Sequence, residues 1–311
     1  MKYLLTGFAT VAFLFWVNAQ TTTNYTVGIK EGKLSITVTA VSNKNKLVII
    51  VPGSGPTDRN GNSILGVKTN AYLQLAEQLA ANNIASLRYD KRGIGESVLK
   101  NNDESKQRFT HFVEDVIALY QYAKDSLGYQ SVYIAGHSEG ALVAMLAAQQ
   151  VNVAGYISIA GAARCIDEII MEQVSNQPIK IQEEVKTIFD SLKNNKTVAK
   201  VPSYLYALFR PSVQPYMISW LQYTPEAEIA KLKIPMLIIN GTCDVQVKPQ
   251  EAERLQKSNP KAQLQIIEGM THVLKQTETD CEQGGPGTYN NPDLPIDEAL
   301  LKYISNFINN N

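Results

Sequence analysis

The stretch Ser131-Val132-Tyr133-Ile134-Ala135-Gly136-His137-Ser138-Glu139-Gly140 decides the fold. Its first five residues form a short, mostly apolar run that reads as a strand. Ala141 to Gln150, rich in alanine and leucine, reads as a helix. Strand, G-x-S-x-G, helix is the setting of a nucleophile elbow. So tight a turn forces the serine into a strained backbone conformation, and the flanking glycines let strand and helix approach without a clash. Ser138 is then held at the carboxyl end of a sheet, with the backbone N–H of Glu139 facing the reacting atom. The pentapeptide also arises by chance, so the elements on either side carry the reading.

Around the elbow the chain alternates strand and helix. Tyr25 to Ile29 and Leu34 to Val41 alternate apolar and polar residues about Glu31-Gly32-Lys33, as a hairpin does. Lys46 to Val51 is a nearly unbroken apolar run, expected of a strand buried on both faces. Asn70 to Asn82 has helical spacing, and Ile84 to Tyr89 is the next strand. Thr110 is expected to cap a helix running to about Ser126. Strands at Val132 to Ala135, Ala154 to Ile159, Met236 to Ile239 and Gln263 to Ile267 follow, with helices near Gln250 to Lys257 and Ile296 to Ile308. This spacing predicts an α/β fold: a mostly parallel sheet with helices on both faces. Residues 162–230 break the rhythm with several helices and no strong strand. They read as an inserted helical cap over the carboxyl edge of the sheet, the alternatives being a separate small domain or an ordinary run of helices. The core is then 20–161 and 231–311.

Residues 1–19 read as a signal peptide: Met1-Lys2, an apolar stretch from Tyr3 to Val17, and Val17-Asn18-Ala19 as the cut site. The stretch is short of the roughly 20 residues of a spanning helix. Export to the periplasm or beyond is expected, with no stable membrane insertion after cleavage. A formal net charge of +0 gives a nucleic-acid partner no electrostatic support. Cys165, Cys243 and Cys281 are an odd number, so at least one stays unpaired within the chain. Cys243 adjoins one expected catalytic loop and Cys281 follows another. A bridge between them is one reading; two free thiols is the other.

Serine at its ordinary pKa is a weak nucleophile and needs a base, itself oriented by a third group. Of three histidines, His137 lies inside the elbow with its side chain expected elsewhere, and His111 opens a helix far from the elbow. His272, in Glu268-Gly269-Met270-Thr271-His272 after the last core strand, is the expected base. Asp244, in Asn240-Gly241-Thr242-Cys243-Asp244 after the preceding strand, is the expected acid, with Asp167 as runner-up. The oxyanion needs two N–H donors. Glu139 supplies one, and Ser54 in Pro52-Gly53-Ser54-Gly55-Pro56-Thr57-Asp58-Arg59 the other. That glycine-rich loop lacks the lysine of a phosphate loop and the dinucleotide glycine spacing. Arg88-Tyr89-Asp90-Lys91-Arg92-Gly93 is dense in charge; Asp90 and Arg92 are expected to pin the loop beside the elbow. No zinc spacing is present, and neither metal nor organic cofactor is expected.

These motifs together resemble the α/β-hydrolase superfamily and, within it, the bacterial EstD-like esterases, or serine aminopeptidase-like hydrolases. Met270-Thr271-His272-Val273-Leu274-Lys275 and Tyr289-Asn290-Asn291-Pro292-Asp293-Leu294-Pro295 also carry the resemblance, from about Tyr25 to the C-terminus. Ala141 stands where the family commonly has a second glycine. The resemblance implies a carboxylic ester hydrolase with Ser138, Asp244 and His272 in the triad roles, without specifying its substrate; small-molecule esters of short acyl or acetyl groups are the first reading. A peptidase releasing N-terminal residues, with Glu139 or cap acids holding the ammonium, is the alternative. A non-catalytic binding protein on the same fold is the third reading. Tyr204, Tyr206, Phe209, Tyr216, Trp220 and Tyr223 either line an apolar pocket or pack the cap's own core.

Overall fold

A computed structural model describes residues 20–277, 280–281 and 285–311. The expected signal peptide lies outside the described residues. Strand β1 (Thr21–Ile29) pairs antiparallel with β2 (Gly32–Ala40). The turn is Lys30-Glu31 alone, so Gly32 belongs to the strand rather than to the turn. There β5 (Val98–Leu99) crosses closely, and a Cβ on Gly32 would collide with the Val98 carbonyl.

Among the described residues the sheet has nine strands. Its order is β1-β2-β4-β3-β6-β7-β8-β9, with β5 beside β2. Here β3 is Lys46–Val51, β4 Ala85–Tyr89, β6 Ser131–His137, β7 Gly155–Ile159, β8 Met236–Cys243 and β9 Gln263–Thr271. From β4 through β9 every pairing is parallel. Alternate residues of β3 feed two cores: Leu47, Ile49 and Val51 one, Val48 and Ile50 the other. That is why its sequence is apolar without alternation. Helices α1 (Ala71–Ala81) and α10 (Glu298–Asn310) cover one face. Helices α2 (Phe109–Gln121), α3 (Glu139–Ala148) and α9 (Pro249–Ser258) cover the other.

Thr110 does not cap α2; it is the second helical residue. The first helical N–H, that of Phe109, is satisfied instead by Ser219 Oγ at 2.8 Å, a donor–acceptor pair 110 residues apart. Between β7 and β8 the described chain holds helices only: α4 (Ile166–Gln173), α5 (Ile179–Lys193), α6 (Tyr206–Phe209), α7 (Gln214–Trp220) and α8 (Pro225–Ile229). Val185, Phe189, Phe209 and Met217 join the same apolar core as α2 and α3. Among the described residues no helix is long and apolar enough to cross a membrane.

Candidate active site

The elbow is built by close approach. A Cβ on Gly136 would strike the Gly140 carbonyl, and one on Gly140 would strike the carbonyls of Val51 and Pro52. Both positions therefore require glycine. Between them Ser138 sits at φ 55°, ψ −122°, a conformation that costs a non-glycine residue on the order of 1–3 kcal/mol. Three ties hold it there. Its N–H donates to Ile159 O in β7 at 2.9 Å, its carbonyl accepts from Ala141 N at 2.9 Å, and α3 begins at the next residue. Ala141 is buried against the sheet, and a Cβ on Gly161 would strike it. Alanine in place of a second glycine thus leaves the elbow intact.

Strands β8 and β9 extend further than their apolar runs. The Asn240-Gly241-Thr242-Cys243 segment is strand, not loop, and Cys243 pairs with Thr271 across a register shift after Gly241. Each strand is followed at once by a candidate catalytic residue, so this one pairing sets Asp244 beside His272. His272 Nδ1–H donates to Asp244 Oδ2 at 2.8 Å, and both side chains are buried. The other carboxylate oxygen, Oδ1, accepts from the N–H groups of Gln246 (2.9 Å) and Val247 (2.8 Å). These three donors fix the aspartate, and the aspartate fixes the imidazole tautomer, leaving His272 Nε2 as the nitrogen able to serve Ser138. The reversal after His272 is made by Leu274 at φ 67°, with Leu274 N bonding Thr271 O at 3.0 Å. Gly269, in the stretch leading to His272, lies inside β9.

Asp167 is remote from this arrangement in its bonding: it opens α4 and pairs with Lys193. His111 lies in α2, where its backbone carbonyl accepts from Arg92. His137 is not turned away. Its ring lies 4.9 Å from that of His272, and its Nε2 contacts the His272 carbonyl oxygen at 2.8 Å. Its Nδ1 contacts the Tyr72 hydroxyl at 2.7 Å, and Gly53 N–H donates to that hydroxyl at 3.1 Å. Burial pushes the His137 imidazolium down to about pKa 3, so the ring is neutral.

The Pro52–Arg59 loop runs beside the elbow; a Cβ on Gly53 would lie 3.3 Å from Ser138 Cβ. Among the described residues the Ser54 N–H has no hydrogen-bond partner. The Glu139 N–H, first of α3, has no intrahelical acceptor. The charged motif after β4 holds these donors in place. Arg59 bonds Asp90 through its side chain (3.0 Å from Nε) and its backbone N–H (2.9 Å). Arg92 forks onto Asp115 at 2.6 and 2.8 Å. Lys91, which composition gave no reason to single out, reaches through the core to Gly53 O (2.9 Å) and Glu139 Oε1 (3.1 Å), and covers the Phe112 ring at 4.7 Å.

Two cavities meet at Ser138. One, of about 280 Å³, is lined by Gly53, Ser54, Leu65, Ser138, His272 and Tyr289 among others. The second, of about 170 Å³, is lined by Ser54, Ser138, Glu139 and side chains of α3, α4, α6 and α7. Of the six cap aromatics only Trp220 borders it. Tyr204 and Tyr206 are exposed, and Phe209 and Tyr216 are buried in the packing. A disulfide joins Cys243 to Cys281 with Cα atoms 4.7 Å apart, clasping the end of β8 to the segment after His272. Cys165 stays a half-buried free thiol, pushed up to about pKa 11 mainly by burial. Among the described residues no group of three or more His, Cys, Asp or Glu is placed to hold a metal ion.

A family model described as serine aminopeptidase, S33 (Hydrolase_4) matches residues 65–280. Esterase EstD of Thermotoga maritima is 25% identical over 243 residues, 77% of this chain and 57% of that protein. The chain thus spans little more than half the length of that relative. Among solved structures, Est1E of Butyrivibrio proteoclasticus with ferulic acid bound superposes with TM-score 0.63 at 21% identity, covering 92% of this chain and 99% of that one. The Pyrococcus furiosus esterase Pf2001 gives TM-score 0.58 at 17% identity, covering 94% and 93%. The superpositions establish the α/β-hydrolase fold, and the family match spans well over half of the sequence. The chain belongs to the serine aminopeptidase S33 family of α/β-hydrolases.

Proposed function

We propose that this protein is a carboxylic ester hydrolase that works through an acyl-enzyme on Ser138. The observation that carries the proposal is the buried Asp244–His272 hydrogen bond beside a serine held at positive φ. Ser138 Oγ attacks the ester carbonyl while His272 Nε2 takes its proton. Asp244 stabilises the imidazolium, and the N–H groups of Ser54 and Glu139 receive the oxyanion. His272 then protonates the leaving alcohol, and water repeats the sequence on the acyl-enzyme. In the free site no hydrogen bond joins Ser138 Oγ to His272 among the described residues, a looseness common before substrate binds. The helices of residues 162–230 act as a cap that walls the smaller cavity.

The family description supports a peptidase as the second reading. Holding a substrate ammonium requires a free carboxylate. Glu139, the acid among the described residues lining the two cavities at Ser138, is 3% exposed and already paired with Lys91. The esterase names of EstD, Est1E and Pf2001 support the ester instead. Export is part of the proposal, supported by the leader-like N-terminus and by a disulfide, which persists in oxidising compartments. The test is turnover of p-nitrophenyl acetate against amino-acid p-nitroanilides, with fluorophosphonate labelling of Ser138. Ser138→Ala should lower ester turnover by about 10⁴-fold or more. Preference for anilides would reverse the ranking, and wild-type rates in the alanine variant would remove Ser138 from its role.

A further inference from the structure

We propose that Gln246 is a positioning residue through which helix α4 sets the triad acid, by the route Gln173–Gln246–Asp244–His272. The inference rests on the triad reading above and adds a residue that acts through Asp244. Three polar groups of Gln246 bond to three different parts of the molecule. Its N–H donates to Asp244 Oδ1 at 2.9 Å. Its carbonyl accepts from Nε2 of Gln173, the last residue of α4, at 3.0 Å. Its own Nε2 donates to the hydroxyl of Tyr289, in the short turn Pro286–Asn290. Among the described residues the Gln173 bond is the one hydrogen bond that reaches residues 244–247 from residues 162–230.

The turn Asp244-Val245-Gln246-Val247 folds back on its own carboxylate, so the bonds to Oδ1 last only while the turn keeps its shape. One end is anchored from β8. Val247 is buried, and Asn240 Nδ2 donates to its carbonyl at 3.0 Å. The middle lies at the surface: Val245 is 47% exposed, and Gln246 is exposed too. Packing restrains such a turn little. The two outward bonds of Gln246 supply the restraint instead.

Both holders of Gln246 are themselves fixed. Glu251, buried in the first turn of α9, accepts from the N–H groups of Ala163 and Arg164 at 2.9 and 3.0 Å and from Arg164 Nε at 2.7 Å. Glu172 of α4 pairs with Lys248 at 2.6 Å. On the other side the Tyr289 carbonyl accepts from Lys68 N–H at 2.9 Å, and Thr288 Oγ1 meets Thr271 Oγ1 at 3.2 Å. Gln246 is thus held between two anchored segments, and Asp244 inherits their position. That position matters at each proton transfer. The carboxylate must stay on His272 Nδ1 while Nε2 takes and returns a proton, and a turn that drifts misaims Nε2. The loss then falls on kcat.

Donor chemistry at position 173 tests the route. Gln173 is exposed, so its variants should fold as wild type does. Gln173→Glu keeps the shape and replaces the donor with an acceptor. It should lower kcat on p-nitrophenyl acetate about 3–10-fold with KM little changed, and slow fluorophosphonate labelling of Ser138 by the same factor. Gln173→Lys keeps a donor and should recover most of the rate. Tyr289→Phe and Gln246→Ala remove the same bond, so the double variant should lose no more than the worse single one. Lys248→Ala loosens α4 without touching the Gln246 bonds and should leave kcat unchanged. Wild-type rates in Gln173→Glu, equal losses for glutamate and lysine there, a comparable loss in Lys248→Ala, or additive losses at 246 and 289 overturns the route while ester turnover stands. Labelling without ester turnover overturns the ester reading alone, and the labelling rates then decide the route. An unlabelled Ser138 in folded protein overturns both.

Discussion

The side chain of His137 holds the main chain of His272. Its Nε2 faces only an acceptor, the His272 carbonyl oxygen at 2.8 Å, and so carries the proton. Nδ1 then accepts from the Tyr72 hydroxyl at 2.7 Å, and that hydroxyl accepts from Gly53 N–H at 3.1 Å. One continuous chain of hydrogen bonds thus ties the loop carrying Ser54, helix α1, the elbow and the candidate base together. Its members are buried and neutral, so they fix position without adding charge beside the imidazole.

His137→Phe keeps a ring in the space and removes both bonds. It leaves the His272 carbonyl without its donor and the Tyr72 O–H without its acceptor, each costing about 1–3 kcal/mol. If the chain of bonds positions His272, kcat on p-nitrophenyl acetate should fall about 10–100-fold with KM little changed. Acid gives a second readout. An unfolded histidine gains its proton near pH 6.5, the folded His137 only near pH 3. Unfolding takes up a proton between these values, so this group's contribution is whole above pH 6.5 and shrinks as pH falls toward 3. The stability advantage of wild type over His137→Phe, measured by urea unfolding, should narrow as pH is lowered through that window. A constant difference would contradict the neutral buried state.

Lys91 and Glu139 are 6% and 3% exposed, 3.1 Å apart, and Lys91 also holds the Gly53 carbonyl. Lys91→Met leaves a buried carboxylate unpaired and should cost about 3–5 kcal/mol. Adding Glu139→Gln should return part of that loss, because the charge is gone. Denaturant unfolding of the two single variants and the double variant measures the coupling. Additive costs would mean that the pair does not act as a pair.

Ser138→Gly should inactivate the protein and raise its stability. The serine is held at φ 55°, a conformation glycine adopts freely. Relief of on the order of 1–3 kcal/mol, less about 0.5–1 kcal/mol for the freer unfolded chain, leaves a net gain of about 1 kcal/mol. Thermal unfolding beside Ser138→Ala, which keeps the strain, is the comparison. Equal melting temperatures for the two would show that the backbone is not strained there.

The Cys243–Cys281 bridge spans a sequence separation of 38. Chain entropy puts its worth at about 4 kcal/mol. Reduction, or replacement of both cysteines by alanine, should lower the melting temperature and loosen the segment that follows His272. Oxidised protein should present one slowly reacting thiol, since the half-buried Cys165 is pushed up to about pKa 11. Thiol titration before and after reduction in denaturant checks both statements. Three thiols in the native protein would contradict the bridge.

The cap helix of Thr110 and the turn of Gly269 show where local reading stops. Thr110 has the chemistry of a helix cap, but Ser219 reaches the first N–H of α2 from α7, and no local pattern encodes that. Gly269 looks like the hinge of the histidine loop. Instead it sits in β9, itself at φ 71°, and the reversal falls on Leu274, also at positive φ, where Thr271 and Lys275 close the turn around it. The extension of β8 to Cys243 was equally hidden, since Asn240-Gly241-Thr242 has turn composition. It is strand because Gly241 lets the Met270 carbonyl approach where any side chain would collide.

By itself the sequence determined the doubly covered α/β sheet, the serine elbow, and the chain order that marks Asp244 and His272. Those features are local or periodic: a pentapeptide between strand and helix, apolar runs of strand length, and single residues just past strand ends. Only the tertiary structure decided how the pieces are held and what space surrounds them. The Cys243–Thr271 pairing, the reach of Lys91 to Gly53 and Glu139, the His137–Tyr72 chain, and the two cavities at Ser138 all join segments far apart in sequence. Their energies come from burial and from hydrogen bonds formed only when the sheet has closed, so no stretch of residues carries them alone.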